Sequence, residues 1–70
     1  MAHLTGDQLK AAFKRDGAGT ARILQKSLQE FGYPISLEYT IKEMDRLVAG
    51  GDPKGGPSMF LSGWLKDGTD

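Results

Sequence analysis

Ala21, Leu24, Leu28 and Phe31 recur at offsets of three, seven and ten residues, and Leu37, Ile41, Met44 and Val48 at four, seven and eleven. A strand cannot produce that spacing, because its side chains alternate from face to face while a helix repeats about every 3.6 residues. Two amphipathic helices therefore organise the middle of the chain. Ile23 widens the apolar stripe of the first, and Leu47 lies alongside that of the second.

Punctuation divides the rest into helices of the same kind. Thr5-Gly6-Asp7-Gln8 fits a capping box, in which the Thr5 hydroxyl and the Gln8 side chain each satisfy the other residue's backbone N–H. Leu4 precedes that cap and can staple onto Leu9. Leu9, Ala12 and Phe13 supply the inward stripe, so the pattern predicts a helix over about residues 6–15, stopped at Asp16-Gly17. Thr20, or Asp16 with a looser first turn, can cap the next helix, which Gly32 and Pro34 end. Ser36 can cap the third, with Glu38 favourably placed in its first turn and Glu38–Lys42 spaced as an i,i+4 ion pair. Residues 50–57, Gly-Gly-Asp-Pro-Lys-Gly-Gly-Pro, form a loop. Beyond it, residues 58–66 read as a short final helix with Pro57 at its first position, despite Gly63, which costs about 1 kcal/mol relative to Ala. The expected fold is an all-α compact bundle of four short helices in a single domain over residues 1–70.

Size and composition limit the chemistry. A domain of 70 residues buries only about 60% of its unfolded surface and has little room for a deep cleft. Cysteine is absent, so disulfides, thiolate metal sites and thiol nucleophiles are excluded together. The single histidine, His3, has no second imidazole or thiolate with which to hold zinc. Ser58 follows Gly-Gly-Pro without an imidazole placed to activate it. Glu43 and Asp45, two residues apart, point away from each other and read as solvated helix-surface charges. The expectation is a non-enzymatic protein without cofactor or metal. The opening Met1-Ala2-His3-Leu4-Thr5-Gly6-Asp7 lacks the basic stretch and apolar run of a signal peptide. No apolar run approaches the about 18–20 residues that span a bilayer, so a cytoplasmic protein without a membrane partner is expected.

Charge sums to zero but is unevenly placed. Residues 10–26 hold Lys10, Lys14, Arg15, Arg22 and Lys26 against Asp16 alone. These cations surround Gly17-Ala18-Gly19-Thr20, which leads into a helix N-terminus, where free N–H groups favour anions. Gly17-Ala18-Gly19 between two helices resembles the hairpin of helix-hairpin-helix DNA binders. The resemblance implies backbone-phosphate contacts through Gly17 and Gly19, with Lys14, Arg15, Arg22 and Lys26 around them. In this chain Asp16 stands where the family's hairpin has an apolar residue. A helix-turn-helix reader built on the third helix is less suited to phosphates, since its outward side offers Glu38, Glu43 and Asp45 against Lys42 and Arg46.

The apolar tail is the stronger signal. On a helix Met59, Phe60, Trp64, Leu61 and Leu65 fall at about 0°, 100°, 140°, 200° and 240°, far wider than the roughly 100° stripe a surface helix needs. So small a core is not expected to cover the whole arc. Aromatic and Met side chains are enriched where proteins meet. Phe31, Tyr33, Met59, Phe60, Trp64 and Leu65 are therefore the expected partner-binding residues, for another protein or a second copy, and Tyr39 could extend the patch. Phe31-Gly32-Tyr33 after one helix, a second helix, and then Trp64-Leu65 is similar to the order of signals in ubiquitin-associated-type three-helix domains. There the Gly-containing loop and the last helix present the ligand surface. The interval from Tyr33 to Trp64 is longer here, chiefly through the Gly/Pro loop. The first functional expectation is a protein-interaction or regulatory module; the second is weak nucleic-acid or phosphate binding through residues 10–26.

Overall fold

A computed structural model describes residues 3–69 of the chain. Met1, Ala2 and Asp70 lie outside the described residues, and with Met1 and Ala2 go the first two positions of the opening segment considered for a leader. Four helices follow one another: α1 (Gly6–Arg15), α2 (Gly17–Glu30), α3 (Leu37–Val48) and α4 (Pro57–Asp67). No strand occurs among the described residues. The chain is an all-α bundle, with a radius of gyration of 10.5 Å.

Local chemistry sets each boundary. The capping box forms at α1: Gln8 N–H donates to Thr5 Oγ1 at 3.1 Å and Thr5 N–H to Gln8 Oε1 at 2.9 Å. Asp16 then serves both neighbours, its N–H closing α1 on the Ala12 carbonyl while its carboxylate accepts from Gly19 N–H and opens α2. Asp16 is thus the cap, and residues 17–19 form the first turn of α2 instead of a hairpin between helices. Ser36 Oγ caps α3 by accepting from Tyr39 N–H at 3.0 Å. Pro57 opens α4, where its missing N–H leaves no bond unmade.

The α2 and α3 C-termini share one device. Gly32 N–H bonds the Gln29 carbonyl and Tyr33 N–H the Leu28 carbonyl; Gly50 and Gly51 repeat the pattern on Leu47 and Arg46. This is the Schellman motif, which needs a left-handed residue after the last turn. Gly32 and Gly50 supply it at φ 92° and 97°.

Leu9, Phe13, Ala21, Leu24, Leu28, Met44, Leu47, Leu61 and Leu65 form the buried core. Leu4, Leu37, Ile41 and Val48 pack partly buried against it. α2 lies between α1 and α3, and α4 packs across α1 and α3 with a lesser contact to α2. One expectation is corrected by this arrangement. Ile23 does not join the inward stripe of α2 but stands 53% exposed, because the packed face runs through Thr20, Ala21, Leu24 and Leu28. Phe31, at the end of that periodicity, is the α2 C-cap, and the Schellman turn leaves it 59% exposed. The Glu38–Lys42 ion pair does not form; among the described residues the ion pair is Arg46–Glu43, at 2.7 Å.

The two ends of the bundle are tied together. Leu4 N–H donates to Thr69 Oγ1 at 2.9 Å and Thr69 N–H to the Leu4 carbonyl at 2.7 Å. α1 begins so close to the end of α4 that a Cβ on Gly6 would stand 2.1 Å from the Leu65 carbonyl oxygen. Gly6 therefore answers a packing demand.

Candidate functional site

Leu61 and Leu65 point α4 into the core, 0% and 8% exposed, which turns the rest of its apolar arc outward. Met59 stands 55% exposed, and Phe60 and Trp64 are half-buried. The Schellman turn at Gly32 brings two more rings to the same place. Phe31 stacks on Phe60 with centroids 5.0 Å apart and planes 24° apart, and Tyr33 meets Phe60 from another side at 5.5 Å. Trp64 lies 6.1 Å from Phe60 and 6.3 Å from Phe31, tilted to both. These separations fall in the range where aromatic pairs attract, each by about 0.5–1.5 kcal/mol beyond area burial. The rings consequently hold one another in place on the surface.

Beside the rings, Met59, Phe60, Gly63 and Trp64 line a shallow depression of about 250 Å³. Gly63 leaves one corner without a side chain, and a Cβ built there meets nothing within 4 Å. No neighbouring atom therefore demands glycine at this mid-helix position.

Of the six residues expected at the partner surface, Phe31, Tyr33, Met59, Phe60 and Trp64 come together. Leu65 does not belong to it. At 8% exposure it is a core residue, because α4 rolls its Leu61/Leu65 edge against α1 and α3. Tyr39 lines a different concavity, with Ser36, Glu38, Lys42, Glu43 and Lys54. Gly63 was not among the expected residues; its signal was a glycine within a helix that its own propensity disfavours.

The basic segment has a different geometry from the expected phosphate turn. Lys10, Lys14, Arg15, Arg22 and Lys26 are all exposed, and none forms an ion pair with a described residue. Between them, however, the Asp16 carboxylate takes the Gly19 N–H at 3.0 Å. A Cβ on Gly19 would stand 2.1 Å from that carboxylate, so Gly19 makes room for the chain's own cap. The negative group thus occupies the donor that the resemblance to helix-hairpin-helix proteins assigns to a phosphate.

Glu43 is the other correction. It is 6% exposed, with its Oε1 accepting from Ser58 Oγ at 2.8 Å and from Arg46 Nη2 at 2.7 Å. Arg46 also bonds the Asp52 carbonyl, and Lys54 N–H donates to Ser58 Oγ at 3.2 Å. The hydrogen bond from Arg46 holds the Glu43 carboxyl below its ordinary 4.5, against the opposing effect of burial, and the Ser58 hydroxyl adds to the lowering. The same pairing raises Arg46. This network fastens the 50–57 loop and the start of α4 to α3, and so fixes the helix that carries the aromatic patch. Ser58 acts as a structural donor within it. Among the described residues no group of three or more His, Cys, Asp or Glu is placed to hold a metal ion. No described helix is long and apolar enough to cross a membrane.

Comparison with known protein families, with curated proteins and with solved structures returns no match.

Proposed function

We propose that this chain is a small non-enzymatic interaction module that meets a protein partner through Phe31, Tyr33, Met59, Phe60 and Trp64. One observation carries the reading: two large apolar side chains more than half exposed, Phe31 and Met59, border a group of rings that the fold holds in mutual contact. Isolated exposed apolar residues are ordinary, but a contiguous patch marks a contact surface. Burial of such area yields about 25 cal/mol per Å² before the costs of association.

Met59→Lys tests the reading better than Trp64→Ala, which would mix folding with binding. The variant is first matched to wild type in helicity. Sedimentation and affinity capture then compare wild type, Met59→Lys and an Arg22→Glu/Lys26→Glu variant. The proposal expects an association lost in Met59→Lys and retained in the charge-reversed chain. Absence of any association by wild type overturns it.

A second reading is weak nucleic-acid or phosphate binding through Lys14, Arg15, Arg22 and Lys26, favoured by the exposure of these four cations and their lack of ion pairs to described residues. It requires binding that falls steeply with salt. A low-salt fluorescence titration with a nucleic-acid duplex that stays flat removes it.

A further inference from the structure

We propose that Met59 is a reversible oxidation site, at which a peroxide turns part of the aromatic patch polar without opening the fold. The chain has no cysteine, so its thioethers are the side chains that a two-electron oxidant attacks first. Met44 and Met59 both lie among the described residues, and the fold treats them in opposite ways. Met44 is sealed in the core at 0% exposure, whereas Met59 stands 55% exposed on α4. Met59 belongs neither to the buried core nor to the side chains packed against it, so its chemistry can change without disturbing that packing.

A sulfur lone pair of Met59 attacks one oxygen of hydrogen peroxide. The S–O bond forms, the O–O bond breaks, and the second oxygen takes up the proton of the first and leaves as water. Sulfur is oxidised by two electrons as peroxide is reduced. The step needs oxidant and water together at the sulfur, so Met44 reacts only when the chain opens. The sulfoxide adds a hydrogen-bond acceptor to the wall of the depression lined by Met59, Phe60, Gly63 and Trp64. Two thiols reverse the change, passing to a disulfide while the oxygen leaves as water. On a surface that meets a partner, as proposed above, that acceptor must be desolvated, so oxidation opposes association. The modification itself is read on the isolated chain and needs no partner.

Peroxide treatment at neutral pH, with timed tryptic digestion and mass spectrometry, tests the site. Trypsin leaves Met1, Met44 and Met59 in separate peptides, residues 1–10, 43–46 and 55–66. In the folded chain the 55–66 peptide should gain oxygen at least about ten-fold faster than 43–46, and in urea the two rates should converge. Oxidised wild type should keep its helical circular dichroism and elute earlier from a phenyl hydrophobic-interaction column. Thiol-dependent sulfoxide reductases acting on both epimers should restore its elution. Met59→Leu, a nearly volume-conserving change, should elute alike before and after peroxide. Equal rates for Met44 and Met59 in the folded chain, a difference that persists in urea, or loss of helicity on oxidation overturns the proposal. So does an elution shift of the same size in Met59→Leu, or no shift in wild type.

Discussion

Gly63→Ala should make the protein more stable. Glycine inside a helix costs about 1 kcal/mol relative to alanine, through the backbone freedom it retains when unfolded. That gain is realised only where the new methyl group has room. The structure provides it: a Cβ at position 63 meets nothing within 4 Å, in contrast to Gly6, where it would overlap a carbonyl. In a domain of 60–100 residues, 1 kcal/mol moves the melting temperature by about 4–8 °C. Thermal unfolding followed by circular dichroism at 222 nm should therefore show a rise of a few degrees. A fall in the melting temperature would refute the reasoning, since it would mean that position 63 is packed. The same methyl group narrows the depression lined by Met59, Phe60 and Trp64 and should weaken binding of a partner seated there.

Other consequences follow from the same geometry. Glu43→Gln removes the anion from the Arg46 and Ser58 network and should cost about 1–3 kcal/mol in urea unfolding at neutral pH. Because the folded carboxyl lies below 4.5, its contribution is fully present above that value and fades as pH falls through the lower folded value. Wild type should thus lose stability below about pH 4.5 more steeply than Glu43→Gln, and equal slopes would contradict the assignment. Gly6→Ala should destabilise the fold by well over 1 kcal/mol, because α1 must move off the Leu65 carbonyl; a neutral result by thermal melting would refute the close approach. Asp16→Ala should cost about 1 kcal/mol by removing the α2 cap, as measured in urea.

The helices were legible in the sequence because their ends are set by local chemistry. Thr5, Asp16, Ser36 and Pro57 start them, and Gly32 and Gly50 close two of them by their own backbone preferences. The tail could be read as an arc too wide to cover. Which edge of the arc faced inward depended on how α4 settles on α1 and α3, and that choice buried Leu65 while leaving Met59 out. Ile23 faced outward for a reason on its own helix, since the packed face of α2 runs through Thr20, Ala21, Leu24 and Leu28. Glu43 looked solvated because its partner, Ser58, lies beyond an irregular Gly/Pro loop whose path no periodicity describes. Gly17-Ala18-Gly19 suggested a phosphate turn because local sequence cannot show that Asp16 folds back onto Gly19.

Trp64 is the only tryptophan, which makes the patch directly observable. Acrylamide quenching of its fluorescence in dilute, monomeric protein asks whether one folded chain leaves these rings within reach of solvent. The account predicts an accessible indole, quenched to an extent between that of a core tryptophan and that of the unfolded chain. Fluorescence as resistant to quenching as that of a fully enclosed indole would contradict it.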